Sequence, residues 1–189
     1  MKDPIQVRFS GAGGQGLITA GIILAEAAML EGRNVVQTQT YGPEARLGSS
    51  RAEVIISSGQ IAYPEVTSPD VQVCMSPEAA RKYAPKTAPG SLVVLDSTCV
   101  RDEITTPGRV ARLPITQAAV DLGNKVVANA VALGVVNALA GIVSHESLVK
   151  AVVARVPRKY AELNERALTV GAELATSAAE SAGAQAAAS

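Results

Sequence analysis

Residues 11–16 read Gly-Ala-Gly-Gly-Gln-Gly, between a short apolar/polar run, Ile5 to Ser10, and an Ala-, Ile- and Leu-rich stretch, Leu17 to Leu30. Four glycines in six positions break any strand or helix, so the chain is committed to a strand, a tight turn and a helix within its first 30 residues. The spacing fits G-x-G-x-x-G, with a fourth glycine inside it. Such a loop lets the backbone approach a ligand without a Cβ in the way. It also aims free N–H groups and the positive end of a helix dipole at a phosphate or other anion. Gly11, Gly13, Gly14, Gln15 and Gly16 are therefore candidate anion-binding residues. The competing reading is that the glycines only let the helix pack on the sheet, and sequence leaves both open.

A dinucleotide site of the nicotinamide type makes a sharper demand. It needs an acidic residue at the end of the second strand, about 20 residues on, to hold the ribose hydroxyls. That strand, Asn34 to Thr40, has no Asp or Glu; Glu31 precedes it and Glu44 lies well beyond. An anion-binding loop passes this test and a nicotinamide site does not. A stand-alone nucleotide-binding module stays open as an alternative.

Between Tyr41 and Arg51 runs a polar stretch with two glycines, a proline, two arginines and paired serines. It leaves the carboxyl end of the second strand, where open α/β sheets bind ligands. Arg46 and Arg51 offer forked donors to phosphates, and Ser49 and Ser50 add hydroxyls. Alternatively the arginines pair with Glu44 and Glu53 on a solvated loop.

Composition narrows the classes of function. Lys plus Arg and Asp plus Glu stand at 17 each, so no global field draws the chain to nucleic acid or to an acidic membrane. One Phe and no Trp argue against base stacking. The start lacks a charged-then-apolar signal pattern and no stretch approaches a membrane span, which predicts a cytoplasmic protein. Cys74 and Cys99 fall too few for an iron–sulfur cluster, which takes four cysteines, and read as small core residues. His145, the one histidine, sits in Ser144-His145-Glu146-Ser147 at a predicted helix start and carries no assigned chemistry.

Farther along, Ala52–Ser57 and Gln60–Pro64 read as a hairpin, Val71–Met75 and Ser91–Asp96 as strands, and Ser76-Pro77-Glu78 as a capped helix start. Asp96 and Ser97 either cap the turn after their strand or face the crevice. Lys125 to Ala140 is apolar nearly all round, so it is core or a subunit contact, and Asn129 is its polar exception. Residues 1–175 are expected to form one α/β domain, a three-layer Rossmann-like fold with a mostly parallel sheet and a C-terminal helical segment. Residues 176–189, an Ala/Ser-rich tail, have little to bury and are expected to be disordered.

Gly13-Gly14-Gln15-Gly16, Tyr41-Gly42-Pro43-Glu44-Ala45-Arg46 and Ser50 to Ser57 together resemble the gamma subunit, or gamma domain, of the 2-oxoacid:ferredoxin oxidoreductases. Tyr63-Pro64, Pro69-Asp70, Ser76-Pro77-Glu78-Ala79, Asp96-Ser97 and Asn129 to Gly134 continue it in order, over about residues 5 to 173. The Tyr-Gly-Pro-Glu-Ala-Arg form is more like the 2-oxoglutarate and indolepyruvate branches than the pyruvate branch. Leu47 departs from the family, which usually has glycine there.

The resemblance implies a complex that oxidatively decarboxylates a 2-oxoacid to an acyl-coenzyme A and passes electrons to ferredoxin. It places thiamine diphosphate, Mg²⁺ and the iron–sulfur clusters on alpha, beta and delta partner subunits. This chain would be non-catalytic and would help bind and cover coenzyme A, using the glycine loop, Tyr41 and Arg46 to Arg51. An indolepyruvate or other 2-oxoacid enzyme is the alternative within the family.

Overall fold

The computed structural model describes residues 2–41 and 49–187. Its chain runs β1 (Ile5–Ala12), α1 (Leu17–Leu30), β2 (Asn34–Tyr41), β3 (Ser49–Ser57), β4 (Val71–Cys74), α2 (Pro77–Tyr83), β5 (Leu92–Asp96) and β6 (Arg109–Leu113). Four helices complete it: α3 (Ile115–Asp121), α4 (Ala128–Ala140), α5 (His145–Arg155) and α6 (Ala161–Ala187). One six-stranded sheet has the order β2-β3-β1-β4-β5-β6. β1, β4, β5 and β6 pair in parallel, while β3 runs antiparallel to both of its neighbours, β1 and β2. The fold is the α/β architecture with a mostly parallel sheet that the sequence predicts.

Side chains alternate across the sheet, as strand geometry requires. Val7, Phe9, Val54, Val73 and Val94 point to the face carrying α1, α4 and α6, and join one large apolar cluster with them. Each fully buried side chain of the size of Phe9, Leu24 or Leu133 contributes about 1.5–3 kcal/mol there. The opposite face carries α2, whose Ala79, Ala80 and Tyr83 cover Cys74, Val93 and Leu95 in a smaller cluster.

α4 is buried on all sides from Ala128 to Val136, and the neighbours that bury it are its own chain's helices. Its closest contact is with α6. A Cβ on Gly134 would overlap Leu168 O, and one on Gly171 would overlap Val131 O. The two glycines let the helix backbones touch, so this element is core rather than a free subunit contact. Its first turn is a 3₁₀ turn, Lys125–Val127, with Asn124 as cap.

One expectation is corrected. The hairpin of residues 52–57 with 60–64 does not form, because both edges of β3 are taken by β1 and β2 and no edge remains for a second strand. Pro64 also lacks the donor such a ladder needs. In addition, α6 stays helical through Ala187, across a segment whose composition reads as tail. Alanine's high helix propensity accounts for the continuation. The predicted caps are in place: Ser76 Oγ accepts from Ala79 N at 3.3 Å, and Ser144 Oγ accepts from Ser147 N at 3.1 Å, just before His145.

Candidate functional site

β1 ends at the glycine loop, and its antiparallel partner β3 begins beside it. The register sets Ala12 against Ser49, Gly11 against Ser50 and Ser10 against Arg51. On the far side of β3, Tyr41 faces Ser50 and Thr40 faces Arg51. The fold therefore brings the glycine loop, the end of β2 and the start of β3 to one edge of the sheet. Arg46, which the sequence places between them, lies outside the described residues, as do Gly42 to Gly48.

The loop glycines have different jobs. Gly16, at φ +72°, caps α1 in the left-handed region, and a Cβ there would also meet Asn129 Nδ2 at 2.8 Å. No side chain caps this helix end. The N–H groups of Leu17, Ile18 and Thr19 have no acceptor within the helix, so they point their donors and the helix dipole at the loop's open side. Gly14 is exposed and has a positive φ of +87°. Gly11 is different: a Cβ there would collide with Gln15 Oε1, Leu17 and Met75.

That collision shows what Gln15 does. Its Oε1 accepts from Ala12 N at 2.7 Å, and its Nε2 donates to Met75 O at 2.8 Å. Gln15 thus bridges the carboxyl ends of β1 and β4, between which a Rossmann fold opens its dinucleotide crevice. The carboxamide fills that crevice and spends its hydrogen bonds on the protein. Through these two bonds Gln15 clasps the loop to the end of β4. A second feature also disfavours a nicotinamide site. β3 separates β2 from β1, which moves the end of β2 two strand spacings, roughly 10 Å, from the glycine loop.

Of the other predicted residues, Ser49 is exposed, while Ser50 is buried on the α1 side. Arg51 lies on the α2 side, about one-third exposed. Its Nη2 donates to Thr40 Oγ1 at 3.2 Å and lies 3.7 Å from Glu53 Oε2. Its guanidinium also stands 5.9 Å from the Tyr83 ring centroid. Arg51 Nε is buried with no hydrogen-bond partner. Beneath it, Arg8 Nε donates to Glu53 Oε1 at 2.6 Å in a buried ion pair, and Arg8 Nη2 donates to Val66 O. Glu53 thus bears on two arginines and orients the outer one.

Asn129, a residue of ambiguous role in the sequence, donates from Nδ2 to Gly16 O at 3.2 Å and ties the start of α4 to the loop. Beyond it opens a cleft of about 330 Å³, lined by Gly14, Gly16, Thr19, Asn129, Tyr160 and Asn164 with a wall of valines and Pro157. Sequence reading missed Tyr160 and Asn164. They lie some 150 residues from the loop they face, and no local pattern signals that.

Asp96 does not face a ligand. Its carboxylate accepts from Thr98 N, Thr116 N and Thr116 Oγ1, so it caps its own turn and the start of α3. Burial pushes the Cys74 thiol up to about 11, and burial raises that of half-exposed Cys99 too. Among the described residues no three His, Cys, Asp or Glu side chains gather as a metal ion would need. No described helix is long and apolar enough to cross a membrane. The loop itself carries no ionisable side chain, and its free N–H groups suit it to hold an anion.

The family model for pyruvate ferredoxin/flavodoxin oxidoreductase matches residues 6–174. The 2-oxoglutarate synthase subunit KorC of Methanocaldococcus jannaschii is 41% identical, over 90% of this chain and 93% of its own. The gamma subunit of a keto/oxoacid ferredoxin oxidoreductase from Geobacter sulfurreducens superposes with a TM-score of 0.82 at 43% identity, covering 92% of this chain and 99% of that one. A 2-oxoglutarate:ferredoxin oxidoreductase from Magnetococcus marinus, with 2-oxoglutarate, coenzyme A and succinyl-CoA bound, superposes with a TM-score of 0.85 at 26% identity. It covers 94% of this chain, which matches 32% of that longer one. Fold, loop and nearly full-length similarity agree, and the chain belongs to the pyruvate ferredoxin/flavodoxin oxidoreductase family.

Proposed function

We propose that this chain is the gamma subunit of a cytoplasmic 2-oxoglutarate:ferredoxin oxidoreductase and that it binds and covers coenzyme A without performing chemistry. The observation that carries the first half is the 41% identity to a 2-oxoglutarate synthase subunit over nearly the whole length of both chains. Alpha, beta and delta subunits are the partners, and ferredoxin accepts the electrons. Thiamine diphosphate, Mg²⁺ and iron–sulfur clusters belong to those partners, since two cysteines cannot hold a cluster.

The site's donors fit a coenzyme A anion. The uncapped α1 N-terminus presents N–H groups suited to a pyrophosphate. Across the same sheet edge, Ser49 and Arg51 supply a hydroxyl and a guanidinium. Arg46 adds a second guanidinium from the connecting segment. Gly11, Gly13, Gly14 and Gln15 form the loop, and Tyr41 and Ser50 stand in register with each other at the neighbouring strand ends.

Arg46→Ala with Arg51→Ala, in the complex assembled with its partner chains, should raise the KM for coenzyme A at least tenfold. Two charge-assisted contacts of about 1.5–3 kcal/mol each make that a conservative figure. The KM for the oxoacid should stay within twofold. An unchanged KM for coenzyme A would refute the binding role.

A further inference from the structure

We infer that the β2 edge of the sheet, together with the flank of α1 above it, is a surface on which a second copy of this chain docks. The inference is independent of the coenzyme A reading. The two edges of the sheet are built differently. β6 has five residues, two of them arginine, and Arg112 reaches past its end to donate to Val100 O and Asp102 O. A short, charged edge is how a sheet avoids pairing with another chain. β2 lacks that protection. Its eight residues, Asn34 to Tyr41, include no charge and no proline, and among the described residues it pairs only with β3.

α1 continues the same wall. It lies over β3 and β2, since a Cβ on Gly21 would stand 2.9 Å from Ala52 Cβ and 3.9 Å from Gln37 Nε2. A surface helix normally turns charge to solvent. α1 has one charged residue, Glu26, and that side chain pairs with Arg155 of α5. Ile18, Ile22, Ala25 and Met29, spaced four, three and four apart, lie on the flank toward β2 and form the kind of stripe by which two helices pack. Met29 is 63% exposed, and Ile18 and Ile22 are partly exposed. The charges between α1 and β2 are engaged elsewhere: Glu31 Oε1 accepts from Ser144 N, and Arg33 Nη1 donates to Ile142 O.

A second copy fits this wall. Near a two-fold axis every charge meets its own sign, and β2 and the α1 flank hold none. Antiparallel pairing of β2 with its copy continues the sheet and keeps both α1 helices on one face. β3 and its copy then stand about 14 Å apart, three strand spacings. Helices centred between β3 and β2 come to about 10 Å, the separation of packed helices. Ile18 then meets Met29 of the copy, and Ile22 meets Ala25. β2 runs for about 27 Å and α1 for about 21 Å, in layers each about 10 Å thick. With its relief, such a wall approaches the roughly 800 Å² per partner that a stable dimer buries.

Sedimentation of the purified full chain tests this. It should run as a dimer of 19.3 kDa subunits. Met29→Lys and Gln39→Lys, both at exposed positions, should each weaken the dimer at least tenfold with unchanged circular dichroism, by placing charge in the wall. The axis crosses a residue near the middle of β2, so Gln37→Cys or Thr38→Cys should link the chain to its own copy on mild oxidation, where the parent does not. A monomer at micromolar concentration would overturn the inference. So would a dimer that neither lysine weakens. In the assembled complex a photo-crosslinker at Gln39 should capture a second copy, and capture of a different subunit would overturn the inference as well.

Discussion

The two faces of the sheet are held by different physics. On the α1, α4 and α6 side, apolar side chains and two helix-contact glycines pack, among the described residues, without a buried ion pair. On the α2 side the sheet carries Arg8, Ser10, Gln72, Arg51 and Glu53 under a single short helix. Ser10 Oγ donates to Val73 O, Gln72 Nε2 donates to Ser10 Oγ, and Tyr83 lies 5.5 Å from the Arg8 guanidinium. Among the described residues, the buried polar side-chain atoms without a partner, Gln6 Oε1, Arg51 Nε and Gln72 Oε1, all belong to this second face. The first face supplies stability through shape. The second spends stability to hold charges in fixed places beside the glycine loop.

The largest break in that contrast should come from Glu53→Ala. It leaves Arg8 buried without its carboxylate and should cost about 3–5 kcal/mol in urea unfolding. The double variant Arg8→Met with Glu53→Leu should recover most of that loss, because an apolar pair needs no desolvation of charge. If the double variant is as unstable as the single, the ion pair is not the reason this face holds together. On the packed face, Gly134→Ala should cost about 1–3 kcal/mol, since the obstacle is the Leu168 backbone, which cannot step aside. A thermal midpoint equal to the parent's would show that α4 and α6 do not touch as described.

The smallest effect is titrimetric. Cys74 is buried on the α2 face and its thiol is raised from 9.0 to about 11. The folded state therefore keeps the proton longer than the unfolded state. Stability from this group is complete below pH 9 and falls as pH rises from 9 toward 11. Urea midpoints measured across that range should decline, and Cys74→Ala should flatten the decline. Cys74 should also resist alkylation at pH 8 in the native protein, with Cys99 the more reactive of the two.

Sequence made the local features of this molecule legible. Glycines 11–16, the Ser76 and Ser144 caps and the buried run Leu92–Asp96 each follow from residues within a few positions of one another. What it did not show were choices of neighbour. Ala52–Ser57 reads as a strand, yet nothing in it says that the strand inserts between β1 and β2 rather than folding back on residues 60–64. Gln15 reads as a ligand contact because its partner, Met75 O, lies 60 residues away. The pairing of Arg51 with Glu53 is one of the two readings open in the sequence, but the buried Arg8 that shares the carboxylate gives no signal. Tyr160 and Asn164 carry no signal until α6 is packed beside α4.

The most direct test of the central claim is amide hydrogen exchange on this chain within the assembled complex, with and without coenzyme A. Slowed exchange at Gly14 to Thr19, with a weaker effect at Ala128 to Ala130 and no change at β6 or α2, is the predicted footprint. Protection confined to other segments, or none at the α1 N-terminus at saturating coenzyme A, would contradict the account.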